Sequence, residues 1–399
     1  MRDPANSPFT PGYGILPQVW AGREREFRDF DEVVVPRTRN RTYEQARVVT
    51  GNRGVGKTVF LAQLADEAGD ADDLTVQVTA RTGTHVVTEL IGSLARVLHR
   101  TSAAAAVTDA LDATLRRSIG LTVSSSGVRV DLGAAPPAKE LPGLADPLAR
   151  LLERVAREAA DRGRMLLVTV DEAQNIDPAA LEVLCHTLAD VQNRHDRTRG
   201  PHGEAVRAYL PLGVYLAGLP SLPDRIRTSG STFFERSLPL DFGLLRAPDV
   251  QAAIRGMLSN VEVGIEPEAL DLLVDHVGGY PYFLHLYGKH AWTAGSSDVV
   301  TLSDVEAAIV EATTDLGRFY GERVRGLGDL AYDWLVAAAR LPTTERTTGN
   351  VAAELGRTSS QLGSTVDALL GRGLIRHEPG RGRFSFAVPG LDRYLTSGR

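Results

Sequence analysis

The hydrophobic pattern of the chain switches between two periods, and the switches mark its elements. Short runs rich in apolar and β-branched residues at 48–50, 74–79, 165–170 and 213–218 predict strands. The run at 165–172 is almost wholly apolar until it ends in Asp171 and Glu172, as suits a central parallel strand buried on both faces. Between the strands the apolar positions recur at helical spacing, over about 85–118 and 145–162 and in a helix ending near Val191. Strand, helix, strand, helix in series predicts an α/β fold with a doubly wound parallel sheet and right-handed crossovers. Residues 120–133 alternate with period two around a Ser-Ser-Ser-Gly centre, predicting a hairpin inserted in a helical crossover, and a linker follows at 134–143.

Beyond Pro248 the strand pattern stops. Helices are expected at about 248–259, 266–277, 281–293 and 302–324. Residues 328–399 read as three helical stretches followed by an alternating strand pair near 374–376 and 383–388. The N-terminal stretch 8–20, with three prolines and two glycines, predicts an ordered but irregular arm, and a helix opens after Ala21. A basic loop with Arg37, Arg39 and Arg41 precedes the strand at 48–50, and residues 193–203 read as a polar, partly basic loop.

One stretch carries chemistry outright. Gly51, Asn52, Arg53, Gly54, Val55, Gly56, Lys57 and Thr58 fit G-x-x-x-x-G-K-[ST], between a β-branched strand and a helix that continues through Val59. The glycines let successive N–H groups turn toward β- and γ-phosphates, Lys57 adds a point charge, and the Thr58 hydroxyl can ligate Mg²⁺. The helix N-terminus adds positive potential. The stretch predicts nucleotide binding.

Composition narrows the surroundings. The 399 residues suffice for two or three domains, and 43% hydrophobic with 24% charged residues is ordinary for a soluble globular chain. A net charge of −6 excludes a uniformly polycationic nucleic-acid binder, so any such surface is local. The single cysteine, Cys185, excludes an internal disulfide framework and reads as a small buried hydrophobe; with no apolar leader segment, a cytoplasmic location is expected. No run reaches the ~18–20 apolar residues of a membrane span. The nine histidines show no metal-ligand spacing, leaving Mg²⁺ as the one metal expected.

Asp171 and Glu172 close a buried strand roughly 110 residues after the P-loop. A carboxylate pair there can hold the Mg²⁺ shell (Asp171) and act as the base for the attacking water (Glu172); the plain alternative is an acidic pair capping a strand. Arg236, just before the last core strand, is a candidate to stabilise charge on a neighbouring subunit's nucleotide, with Arg225 and Arg227 as rivals. An exposed arginine complementing a helix dipole is the competing explanation.

These residues carry a resemblance over nearly the whole chain. Gly22-Arg23-Glu24, Asp171-Glu172-Ala173-Gln174, Ala217-Gly218-Leu219-Pro220 and Glu235-Arg236 resemble the AAA+ ATPases. The similarity is to the branch holding origin-recognition initiators, transposition-regulator ATPases and STAND-type ATPases. Gly279-Tyr280-Pro281 resembles the G-x-P motif of the STAND lid. The resemblance implies that Pro281, Gly22 and Arg23 lie near the adenine. It also implies ATP or ADP as the nucleotide, a nucleotide-dependent homo-oligomer and a catalytic role for Lys57, Glu172 and Arg236. Two departures imply slow turnover: no Asn or Thr stands in the sensor-1 place, where Ser221 is the nearest polar residue, and no sensor-2 arginine stands at Pro281.

The C-terminal part resembles a winged helix, with a first helix from Thr348, a second in the recognition position at 358–372, and a wing after Gly373. Expected domains are therefore 1–245 as ATPase core with N-terminal arm and inserted hairpin, 246–325 as α-helical lid, and 326–399 as winged helix. If the partner is DNA, Arg372, Arg376, Arg381 and Arg383 would touch phosphates, while Ser359, Ser360, Gln361 and Ser364 face bases. A protein-docking or autoinhibitory module is the alternative, as in STAND-like signalling ATPases, because a fold does not fix a function.

Overall fold

The computed structural model describes residues 2–12, 14–83, 85–102, 104–111, 113–124, 126–130, 138–199 and 202–397. The chain divides into two compact units, one of residues 23–51 and 57–242, the other of 1–22, 52–56 and 243–399.

The first unit is built on five parallel strands. Its strands in chain order are β1 (Arg47–Gly51), β2 (Leu74–Thr79), β3 (Leu121–Ser124), β4 (Gly127–Val130), β5 (Leu166–Asp171), β6 (His195–Arg199), β7 (Ala205–Tyr209), β8 (Leu212–Gly218) and β9 (Leu238–Phe242). The main sheet runs β2-β5-β8-β1-β9, and every pairing in it is parallel. All residues of β5 and β8 are buried, so their apolar runs are explained by helices on both faces. The helix Lys57–Asp70 turns Phe60, Leu61 and Leu64 into the core, and Ala145–Asp161 buries Leu148, Leu151, Leu152 and Val155. Buried charges interrupt this apolar interior, Arg47 the most deeply. Arg47 opens β1 and meets Asp29 at 2.9 and 3.0 Å and Glu44 at 2.5 Å, so its burial is matched by two carboxylates.

Several expected boundaries move. The helix after Ala21 runs from Glu24 to Arg39 through a π turn at Phe30–Val34, which also takes in part of the expected basic loop. Pro36 lacks the N–H that an α-turn there would need, and the backbone widens before it. The helix expected over 85–118 is described as Val86–Ser102, Ala104–Ala110 and Ala113–Ser118, with a bend at Leu111 and with residues 103 and 112 outside the described residues. The hairpin expected at 120–133 is present as β3–β4, while the expected linker at 134–143 lies partly outside the described residues. The polar loop expected at 193–203 is instead the antiparallel hairpin β6–β7. Its residues are mostly polar on both faces, so no apolar alternation announces it.

The second unit is helical. Ala247–Ser259, Pro267–Val277, Pro281–Ala294 and Leu302–Val324 enclose a core that includes Ile254, Leu273, Phe283 and Trp292. Two short strands, β10 (Gly264–Ile265) and β11 (Val299–Val300), pair in parallel. Thr301 and Asp304 form a capping box on the last of these helices. The N-terminal arm belongs to this unit by contact: Arg2 donates to Asp304 (2.6 Å) and the Ala291 carbonyl (2.7 Å), and Phe9 is buried over Gly288.

Further along come the helices Asp329–Arg340, Thr348–Glu354 and Gly363–Gly371, the antiparallel pair β12 (Ile375–His377) and β13 (Phe384–Phe386), and a closing helix Leu391–Thr396 that the sequence pattern missed. The expected recognition helix does not run unbroken over 358–372; a 3-10 turn at Ser359–Leu362 precedes it. Thr358 and Gln361 are absorbed in a capping box there, which takes the Gln361 side chain away from any partner.

Candidate nucleotide site

Because the sheet is parallel, β1, β5 and β8 end on one edge, with β8 between the other two. That edge is where open α/β sheets place their ligands. From the end of β1 the chain loops through residues 52–56 into the helix beginning at Lys57. Lys57 is 5% exposed, and its Nζ donates to the Gly51 carbonyl at 2.7 Å. The ammonium is thus folded back over its own loop.

The end of β5 meets this helix directly. The Thr58 hydroxyl donates to Asp171 Oδ2 at 2.6 Å, joining residues 113 positions apart. Asp171 Oδ1 accepts the Glu172 N–H at 2.8 Å. Burial pushes the Asp171 carboxyl above its ordinary range, partly opposed by these two hydrogen bonds and by Lys57. Glu172 itself sits in the left-handed region (φ 53°), an uncommon conformation for a non-glycine residue.

A residue that sequence reasoning left without a role completes this edge. Gln174 donates to Glu172 Oε2 at 2.5 Å and accepts the Leu219 N–H at 3.0 Å, tying the carboxylate to the end of β8. Gly218 leaves room for it, since a Cβ there would lie 2.7 Å from Gln174 Oε1. Ser221, the polar residue expected near this strand end, caps the helix Leu222–Thr228 without a side-chain hydrogen bond to it. Only the Asp-Glu-Ala-Gln spelling hinted at Gln174, because its second partner is 45 residues away.

Within the helical unit, loop residues 52–56 meet Tyr280. The buried Tyr280 hydroxyl donates to the Arg53 carbonyl at 2.5 Å and accepts Arg323 Nη2 at 3.1 Å. Gly54 has φ +82°, and a Cβ there would stand 2.1 Å from the Tyr280 oxygen, so position 54 excludes a side chain on two grounds. Arg323 Nη1 is buried and has no hydrogen-bond partner among the described residues. Neither Tyr280 nor Arg323 carries a motif of its own.

Residues 19–198 match the family model of the AAA ATPase domain, and residues 317–395 match a domain of unknown function, DUF8462. Residues 19–198 carry an AAA ATPase domain. Among solved structures it is similar to a Walker-type ATPase of Pyrococcus abyssi, with 15% identity, 94% of this chain and 96% of that one covered, and a TM-score of 0.58. It is also similar to the ORC2 protein of Aeropyrum pernix in its ADPNP–ADP complexes, with 14% identity, 97% and 96% covered, and a TM-score of 0.53. At these identities the likeness shows a shared fold. No curated protein sequence matches the chain.

An AAA ATPase domain implies nucleotide binding. Arg23 stacks over the Phe242 ring at 4.2 Å. In the helical unit, Gly22 lies beside Leu245 and Asp249, and Pro281 opens the helix Pro281–Ala294. Arg236 is exposed on a 3-10 turn beside a small hollow lined by Tyr43, Gln192, Asn193 and Phe233. Its rivals are engaged within the chain, Arg225 on the Ile176 carbonyl (2.8 Å) and Arg227 on Asp224 (2.8 Å).

Of Arg376, Arg381 and Arg383, which the sequence suggests project together into solvent, Arg376 is tied down. Arg372 donates to the carbonyls of Arg325 and Gly326, and Arg376 is held by Glu378 at 3.0 Å. Arg381 and Arg383 are exposed. No described helix is long and apolar enough to cross a membrane.

Proposed function

We propose that the AAA ATPase domain hydrolyses ATP and acts as a switch on DNA or a DNA-bound partner. The observation that carries the hydrolytic part is the Thr58–Asp171 contact at 2.6 Å, beside a Lys57 anchored on Gly51. Two hard oxygen donors side by side suit Mg²⁺, which keeps several waters and needs few protein ligands. No cluster of three or more His, Cys, Asp or Glu side chains offers a different metal site among the described residues. When bound, Mg²⁺ would be held by Thr58 and Asp171 and would neutralise phosphate charge.

The chain's own groups do the rest. Lys57 and the N–H groups of residues 52–59 bind the phosphates. Glu172 takes the proton of the attacking water, and Gln174 fixes which way that carboxylate faces. Gly22, Arg23 and Pro281 line the base, and Arg236 serves a neighbouring copy's site in a nucleotide-dependent homo-oligomer. The C-terminal helices and the β12–β13 pair act as a winged helix, with exposed Arg381 and Arg383 as its phosphate contacts. The protein works in the cytoplasm.

One observation favours a second reading, a STAND-like signalling ATPase held closed by its own domains. Tyr280 and Arg323 grip the tip of the nucleotide loop, and Arg372 and Arg376 are spent on contacts inside the chain. Glu172→Gln tests the hydrolytic reading: ATP binding is retained while turnover falls about 10²–10⁴-fold. Parental turnover would overturn Glu172 as the base. Duplex binding measured against salt, with and without ATP, separates the DNA switch from the signalling module.

A further inference from the structure

The β6–β7 hairpin lies in sequence between the helix Pro178–Asn193 and β8, and its base is fixed. Asp196 accepts from Arg41 (2.5 Å) and Arg157 (3.0 Å), and Arg41 also donates to the Tyr209 and Ala208 carbonyls (both 3.1 Å). Beyond that base the register sets Arg197 directly opposite Arg207, with Arg199 opposite Ala205. Side chains alternate along a strand, so the three arginines share one face with His195 and Tyr209. All three arginines are exposed.

Among the described residues, no carboxylate lies within ion-pairing distance of any of the three. The acids of the ribbon are committed elsewhere, Asp196 at the base and Glu204 on the His202 N–H in the turn. Like charges directly opposite in a two-stranded ribbon destabilise it. In a chain of net charge −6, leaving such a pair unneutralised marks a surface that receives its counter-charge from a partner.

We propose that this face of the hairpin docks on the phosphate backbone of duplex DNA. A two-stranded ribbon fits the major groove, which is about 12 Å wide. Arg197 and Arg199 on one strand and Arg207 on the other line both edges of the ribbon, where the flanking phosphates run. Single-stranded nucleic acid would call for free aromatic platforms. The rings here are occupied with one another, Tyr209 lying edge-on to Tyr43 at 5.4 Å and against His195 at 5.2 Å. Such contacts position the protein without reading sequence. The proposal deepens the DNA reading above, and does not require the β12–β13 pair to touch DNA.

The full chain and a mixed-sequence duplex, followed by fluorescence anisotropy over a salt series, provide the test. Replacing Arg197, Arg199 and Arg207 with alanine should weaken binding and lower the log–log salt slope by roughly three, close to one per phosphate contact. Arg207→Glu guards against misfolding. It sets opposite charges across the ribbon, so the melting temperature should hold or rise while duplex binding is lost. An unchanged slope in the triple variant overturns the proposal, as does tighter binding to single strands or to an acidic peptide than to duplex. If only Arg381→Ala/Arg383→Ala loses slope, the hairpin proposal falls and the DNA reading stands. If the parent chain binds no duplex at low salt, both fall.

Discussion

Lys57 and the arginines of the β6–β7 hairpin carry positive charge in one unit of the chain and present it in opposite ways. Lys57 is buried, its ammonium directed by the Gly51 carbonyl and set near Asp171 before any ligand arrives. Arg197, Arg199 and Arg207 are exposed, with no acid within ion-pairing distance among the described residues. A buried cation acts at one point, depends on its geometry and is little screened by salt. Exposed cations act by number, tolerate displacement, and lose their effect as salt rises. Phosphates held for chemistry suit the first arrangement; phosphates held for position suit the second.

The comparison is broken most directly at Lys57. Lys57→Ala should weaken ATP binding on the order of 10–100-fold, the worth of one hydrogen bond to a charged group. The deficit should be nearly the same at low and moderate salt when read by calorimetry. Lys57→Arg should not rescue it, because a planar fork cannot replace a point charge in that enclosure. A deficit that fades with added salt would place Lys57 with the exposed cations.

A buried base without an acid shows the other consequence of burial. His285 is partly buried in the helical unit and accepts the Thr10 N–H on Nδ1 at 3.3 Å. Burial pulls its pKa down from 6.5 to about 4. The folded state therefore prefers the neutral ring. Stability is full above pH 6.5, falls as the pH drops and the unfolded chain takes up the proton, and levels off below about 4. Between pH 7.5 and 5 the loss should be about 2 kcal/mol, and His285→Gln should remove most of that slope in denaturant titrations. Equal slopes in the two proteins would refute the assignment.

Arg236 lies between these extremes, exposed yet expected to serve chemistry. If it completes a neighbour's site, specific ATPase activity should rise with protein concentration. Arg236→Ala should flatten that rise, costing about tenfold at assembling concentrations with ATP affinity unchanged. Activity independent of concentration in the parent would count against it.

These contrasts also explain what could be read in advance. The P-loop and Asp171-Glu172 were legible because their chemistry needs fixed residue types at strand ends, and β5 and β8 because a strand buried on both faces must be apolar. Gln174 and Tyr280 were not assigned roles, since each works through backbone groups, Leu219 N–H and Arg53 C=O, that no side-chain spelling marks. The β6–β7 hairpin was read as a loop for a related reason. Its base is held by Arg41 and Arg157, which lie far away in sequence, so nothing local betrays the pairing. The C-terminal arginines show the converse. Their clustering in sequence suggested one basic surface, but Glu378 and the carbonyls of Arg325 and Gly326 divide it.

That division sets the smallest expected effect. Arg372, Arg381 and Arg383 are all exposed, but Arg372 is hydrogen-bonded to the Arg325 and Gly326 carbonyls and Arg376 to Glu378, while Arg383 also reaches the Thr344 carbonyl at 3.3 Å. Replacing Arg381 and Arg383 with alanine should reduce the salt slope of duplex binding by no more than roughly two, and by the same amount on every duplex sequence. ATP binding should not change. The hairpin triple variant should exceed it, because its three arginines have no side-chain acceptor to leave among the described residues. If the β12–β13 pair instead docks on another part of the chain, the double variant should raise basal ATPase activity and leave the salt slope where it was. A slope loss larger than that of the hairpin variant would reverse the ranking, and would make the C-terminal pair the main DNA surface despite its partial engagement.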